Sequence, residues 1–173
     1  MQIVGDTVKL SDADAYEMQY AAVYCMENFG NPADRTNRYN RAISFHEQIS
    51  EFAQSRAAEL AVARYFNLDY DPYKDNGKRL ADVGDQLEIR WTHWADGSLI
   101  VHEYDRPSDI AILVTGSHPF YRIAGWIPVA MARKDKFRHH NQPNWWVSQR
   151  NLMPIDTLIR SSYGSAISNV SQM

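Results

Sequence analysis

The stretch Ala81-Asp82-Val83-Gly84-Asp85-Gln86-Leu87-Glu88-Ile89-Arg90-Trp91-Thr92 decides how the chain is read. From Leu87 onward apolar and polar residues alternate, so Leu87, Ile89 and Trp91 take one side of a strand and Glu88, Arg90 and Thr92 the other. One side suits a core; the other carries an acid and a base two residues apart. Such a pair is usually a weak, solvated ion pair, so its meaning depends on what surrounds it. Asp82 stands just before a glycine turn. It shares a side with Glu88 if the connection is odd, such as a three-residue loop Gly84-Asp85-Gln86, because the two acids are then opposed. A two-residue Gly84-Asp85 turn would set Asp82 against Leu87 and point Glu88 away.

Upstream, Arg41 to Asn67 has helical periodicity. Phe45, Ile49, Phe52, Arg56, Glu59, Ala63 and Phe66 step by four and three, the inward stripe of an amphipathic helix. A buried carboxylate at Glu59 needs a partner. Arg56, three residues away, is one; a metal ion shared with the acids of the strand is the other. Downstream, strands are expected over 79–83, 86–94, 98–103, 109–115 and 120–126, with Ala95-Asp96-Gly97 as a hairpin between the second and third. Ala111-Ile112-Leu113-Val114 reads as a central strand covered on both faces. A short helical piece follows Pro128, Asn144-Trp145-Trp146-Val147 reads as an edge strand, and Leu152 to Ile159 as a closing helix.

Ahead of these elements, residues 1–10 read as a short strand or arm. Ser11, with Asp12, Asp14 and Glu17, marks a helix start, and Gly30-Asn31-Pro32 ends that helix. Tyr16, Tyr20 and Tyr24 recur at four-residue spacing, an aromatic stripe expected to face the core. Cys25 is the one cysteine in 173 residues, so no internal disulfide forms, and its neighbours suggest a packed helix. With 45% hydrophobic content the chain is long enough for one substantial core, and a single domain is expected. No apolar run is long enough to span a bilayer and no export pattern opens the chain, so a soluble cytoplasmic protein is expected.

A formal net charge of -3 excludes a global attraction to nucleic acid, so any phosphate contact must come from local patches. Arg35, Arg38 and Arg41 recur every three residues around Tyr39, and could grip consecutive phosphates or form a solvated face. Arg133, Lys134, Lys136 and Arg138, followed by His139 and His140, are the most basic stretch, read as a phosphate-facing patch or plain surface. The paired histidines lack further ligands at zinc spacing, and Asp69, Asp71 and Asp75 lack the spacing of a calcium loop. Hydrolysing a phosphodiester calls for activated water and neutralised phosphate charge, which a divalent ion held by carboxylates supplies. Magnesium keeps several waters, so two or three converging acids suffice. Asp82, Glu88 and Glu59 would be those acids, with the Ile89 carbonyl beside them.

In that order, Ala58-Glu59-Leu60-Ala61-Val62-Ala63-Arg64-Tyr65-Phe66, Asp82-Val83-Gly84 and Leu87-Glu88-Ile89-Arg90-Trp91-Thr92 resemble the PD-(D/E)xK, or restriction-endonuclease-like, nucleases. The likeness is to the small phage-encoded members in particular, whose chains continue with a Gly-Trp strand like Gly125-Trp126, and it covers about residues 45–130. It implies an α/β domain with an αβββαβ core, a central mixed β-sheet flanked by helices. Residues 1–44 would form an N-terminal helical extension and 131–173 a C-terminal elaboration. The resemblance also implies cleavage of DNA dependent on Mg, with Mn as substitute, in the cytoplasm of the host if the chain is phage-encoded. Asp82 and Glu88 would be metal ligands, with Asp85 an alternative to Asp82, and Glu59 the helix carboxylate that completes the site. Arg90 stands where the family usually has lysine. Arginine stays charged, so Arg90 can orient water or stabilise charge but not act as a base; Lys78, across the turn, is a substitute. The alternatives are an inactive protein of the same fold that binds DNA or aids assembly, and a structural phage component. DNA is the expected partner, a membrane is not, and a homodimer is allowed.

Overall fold

The computed structural model describes residues 2–30, 43–75 and 80–168. Arg35, Arg38, Arg41 and Lys78 lie outside the described residues. Two long helices open by the same device. In α1 (Asp12–Phe29) the Ser11 hydroxyl accepts from the Asp14 N–H while the Asp14 carboxylate accepts from the Ser11 N–H. In α2 (Phe45–Tyr65) Ser44 and Glu47 do the same, so each helix start has its free amides satisfied reciprocally. The helices pack together, and Arg64 of α2 grips Asp14 of α1 with both terminal nitrogens.

The face α1 buries is Asp14, Met18, Ala21, Ala22, Cys25 and Met26. Tyr16 and Tyr20 are instead 66% and 67% exposed, and Tyr24 is exposed as well, so the tyrosine stripe faces solvent rather than the core. Both stripes have helical spacing, and the smaller side chains are the ones that let two helices approach closely. In α2 the buried part is the C-terminal half, with Arg56 to Glu59 and Ala61 to Ala63 enclosed, whereas Phe45 at its start is exposed.

Beneath the helices lies a five-stranded mixed sheet. Its strands are β1 (Gln2–Val4), β2 (Thr7–Lys9), β3 (Leu87–Thr92), β5 (Ile110–Ser117) and β6 (Phe120–Pro128), in the order β1-β2-β6-β5-β3. Neighbours are antiparallel except β3 and β5, which run parallel with Leu87 opposite Ile110 and Thr92 opposite Thr115. Gln2–Val4 and Thr7–Lys9 therefore belong to the sheet, not to a purely helical extension. β5 is buried from Ile110 to Thr115, as the continuous apolar run predicts. A bulge at Leu113/Val114 shifts the register of β6. There Gly125 has φ +151, and a Cβ on it would lie 2.7 Å from the Met153 carbonyl oxygen, so glycine lets Trp126 exchange two backbone bonds with Met153.

The hairpin expected around Ala95-Asp96-Gly97 does not join neighbouring strands. β4 (Leu99–His102) leaves the sheet and pairs antiparallel with β7 (Asn144–Val147). β5 occupies one edge of β3, and the other meets Val83 at Leu87 alone. Val83 makes a single bridge to Leu87 where a strand was expected over 79–83, and the closing helix is a 3-10 turn at Ile155–Thr157 after Pro154. The β4–β7 ribbon and the short helix α3 (Val129–Ala132) cover the side of the sheet opposite α2. Leu87, Ile89, Ile112 and Val114 pack on the α2 side, and Ala111, Leu113, Ile127 and Val129 pack with Leu99, Val101 and Val147 on the other. The result is a mixed α/β fold, its sheet flanked by helices. Among the described residues no helix is long and apolar enough to cross a membrane.

Candidate functional site

Val83 and Leu87 exchange both backbone hydrogen bonds, at 3.1 and 3.2 Å, around the loop Gly84-Asp85-Gln86. The loop has three residues, the length that opposes Asp82 and Glu88, and Gly84 takes the left-handed φ of +57 that the turn requires. Asp82 Oδ2 accepts from the Ile89 N–H at 2.8 Å. The Ile89 carbonyl shares that open edge of β3, approached by Arg90 Nη1 at 3.4 Å. Asp85 is exposed at the tip, and its carbonyl accepts from Arg106 Nη2 at 2.9 Å. Of the two aspartates, Asp82 is the one beside Glu88.

Arg90 is held from three directions. Its Nη1 donates to Glu88 Oε1 at 2.6 Å, its Nε to the Ile100 carbonyl at 3.2 Å, and its Nη2 to Asp105 Oδ1 at 2.6 Å. Asp105 has a side chain only 2% exposed, and its other oxygen accepts from the His102 N–H at 2.8 Å. Arg133 donates through Nη2 to the carbonyls of His102, Glu103 and Asp105, which pins this loop. Sequence reasoning missed Asp105. The available signal was indirect: a guanidinium has five donors in a fixed fork, more than Glu88 alone can satisfy.

Of the two partners the sequence allowed for Glu59, the structure has Arg56. Glu59 Oε2 accepts from Arg56 Nη1 at 2.9 Å and from the Tyr70 hydroxyl at 2.5 Å, while Arg56 Nη2 donates to the Lys74 carbonyl at 3.0 Å. Glu59 still belongs to the site electrically. Burial, then repulsion from Glu59, pushes Asp82 up to about 7 against the pull of Arg90 and the Ile89 N–H. Burial, then repulsion from Asp82, pushes Glu88 up to about 7 against the pull of Arg90. Glu59 is itself raised by burial, opposed by Arg56 and Tyr70. The shared protons belong to the Asp82–Glu88 pair rather than to either acid alone.

Glu59, Asp82, Glu88 and Asp105 face Arg56 and Arg90, so the fully ionised cluster has negative charge to spare. Among the described residues no three histidines, cysteines or carboxylates stand close enough to hold one ion together. A hard divalent cation here would have Asp82, Glu88 and the Ile89 carbonyl as its candidate oxygens, with Glu59 held back by Arg56 and Tyr70. In the basic stretch Arg133 is half-buried and spent on the 102–105 loop, whereas Lys134, Lys136 and Arg138 are exposed. The chain matches no known protein family, no curated protein and no solved structure.

Proposed function

We propose that this chain is a metal-dependent nuclease that hydrolyses DNA phosphodiester bonds, with Asp82 and Glu88 as the ion's protein ligands and the Ile89 carbonyl beside them. One observation carries the reading: the three-residue loop that opposes two acids at an open strand edge, inside a cluster with more carboxylates than guanidiniums. Magnesium, or manganese in its place, supplies neutralising charge and acidified water. The chain's own residues position and tune. Asp105 and the Ile100 carbonyl fix the guanidinium of Arg90, which in turn fixes the Glu88 carboxylate and keeps a permanent positive charge beside the phosphate. Being always protonated, Arg90 takes no proton from water. Glu59 keeps the potential behind the two acids negative. The reading carries with it a restriction-endonuclease-like core, built from α2 and the strands after it, and a place in the cytoplasm.

A second reading, a DNA-binding or assembly protein without catalysis, is favoured by Arg56 on Glu59 and Arg90 on Glu88, where internal cations occupy two of the acids. Cleavage of plasmid and linear DNA with magnesium, compared with EDTA and with an Asp82→Asn, Glu88→Gln double variant, separates the two. Cleavage by the parent that the double variant loses supports the nuclease. Equal cutting by both abandons it, and DNA binding with no product under any metal leaves the second reading.

A further inference from the structure

We infer that the exposed aromatic face of α1 is a docking surface for an arginine-rich segment of a partner protein. The inference goes beyond the chemistry of the acids and stands whether or not they cut DNA. Opposite its buried residues, α1 carries Tyr16, Tyr20 and Val23, which are 66%, 67% and 48% exposed. Tyr24 and Phe29 continue the face toward the C-terminal end of the helix, and both are exposed. Tyr24 meets Phe29 edge to face at 5.9 Å and Tyr73 at 5.5 Å, so three rings brace one another there, while Tyr16 and Tyr20 stand outward. Four α1 rings exposed to this extent present roughly 400–500 Å² of aromatic surface. A patch of about 300–600 Å² is the largest that a typical monomer shows, and such patches are often functional.

Charge names the occupant. The sequence of α1 contains Asp12, Asp14, Glu17 and Glu27 and no lysine, arginine or histidine. The stretch 67–75, which brings Tyr73 to the face, adds Asp69, Asp71 and Asp75 against Lys74. Asp14 is spent on Arg64, and Asp12 meets His118 at 2.9 Å, whereas the side chains of Glu17, Glu27 and Asp71 lie on exposed residues. Asp71 also accepts from the Tyr73 N–H at 3.0 Å, which holds that carboxylate beside the ring. Burial, then the charges of Glu17 and Asp71, pushes the Tyr73 hydroxyl up, so both acids act on one ring.

A second copy of this chain presenting the same face would set acids against acids, and the ring surface falls short of the ~800 Å² that each partner of a standard interface buries. A cationic partner meets neither objection. Among cations, a guanidinium can lie flat on a tyrosine ring while its edge hydrogen-bonds a carboxylate, which a compact ammonium cannot do. Spacing agrees. Tyr16, Tyr20 and Tyr24 follow one another at about 6 Å along the helix surface, and alternate residues of an extended chain repeat at about 6.6 Å. Arginines at every second position of an extended segment therefore meet successive rings.

The test is fluorescence anisotropy of the full chain with labelled peptides of arginine-serine, lysine-serine and glutamate-serine repeats. About ten residues suffice, because about 33 Å of extended peptide covers the ~20 Å from Tyr16 to Phe29. The arginine peptide is expected to bind at least about fivefold more tightly than the lysine peptide of equal charge, and the glutamate peptide not at all. A Tyr16→Ser, Tyr20→Ser double variant should weaken arginine-peptide binding about tenfold, a Tyr16→Phe, Tyr20→Phe variant should retain most of it, and Glu17→Gln with Glu27→Gln should weaken it about fivefold at low salt. The phenylalanine and glutamine variants guard against a folding defect in the serine variant. No binding of the arginine peptide, equal binding of the arginine and lysine peptides, or binding untouched by the serine variant overturns the inference. So does a dimer in sedimentation velocity that the serine variant abolishes, since a second copy would then cover the face.

Discussion

Asp14 and Asp82 are both aspartates within reach of an arginine, and they answer it in opposite ways. Arg64 gives Asp14 two bonds, at 2.5 and 2.6 Å, and the Ser11 hydroxyl and N–H give it two more. Those bonds hold its carboxyl well below the usual carboxylate range against a modest cost of burial. Asp82 accepts from the Ile89 N–H, while the Arg90 guanidinium is divided between Glu88 and Asp105. Burial and the charge of Glu59 then win, and Asp82 is pushed up to about 7. One acid to one base makes a clamp between helices that is charged at every working pH. Several acids to a shared base make a site that takes up protons near neutrality.

Breaking the hairpin cluster is expected to have the largest effect. The Asp82→Asn, Glu88→Gln variant should lose magnesium-dependent cleavage by about a thousandfold, read as the initial rate on linear DNA. The same variant should be more stable than the parent in alkali. Carboxyls with raised folded pKa values contribute stability that is full below about 4 and is lost as pH rises toward 7, because the folded state must then hold two ionised acids. Denaturant melts at about pH 8 should therefore favour the variant by roughly 2–4 kcal/mol, with the gap closing toward about pH 4. A parent more stable in alkali than the variant would show that the acids are already neutralised internally. Manganese should raise the parent's melting temperature more at about pH 8 than at about pH 5, where protons compete for Asp82 and Glu88, and leave the variant unmoved.

The clamp should behave with the opposite sign. Asp14→Asn should cost about 2 kcal/mol near neutrality in urea melts, and the loss should fade as pH falls below about 4, where Asp14 of the unfolded chain takes up a proton while the folded carboxylate is still ionised. A loss that instead grew in acid would break the contrast. The smallest effect is expected on the far side of the same helix. Tyr16→Ser and Tyr20→Ser, on exposed positions, should each move stability by no more than about 0.5 kcal/mol.

Local geometry was legible in the sequence where spacing alone decides it. The alternation from Leu87 and the cap at Ser11 follow from a few neighbouring residues, whereas the same residues left open whether Arg56 or a metal ion partners Glu59 and whether the turn before Leu87 has two residues or three. What spacing leaves open is which of two equal patterns meets a neighbour. In α1 the tyrosine stripe and the Met18, Ala22, Cys25 stripe have the same period, and only the close approach of α2 favours the small residues. Long-range pairing was not legible at all. β4 finds β7 more than forty residues later, and β2 finds β6 across most of the chain, so Asp105 came to Arg90 by a route no local pattern records. Arg133 shows the same limit: it reads as a surface cation and instead ties three carbonyls of one loop.

The parallel pairing of β3 with β5 has a consequence for how this molecule tolerates change. Parallel neighbours cannot be joined by a tight turn, so the polypeptide must travel out over the sheet and come back before Ile110 can lie beside Leu87. That detour carries Arg90's second anchor near its end, while its outermost tip, around Asp96, bears none of the acid contacts. Extra length spliced in at the tip should be absorbed there, whereas the same insertion between His102 and Asp109 should unseat the guanidinium and with it the carboxylate it steadies.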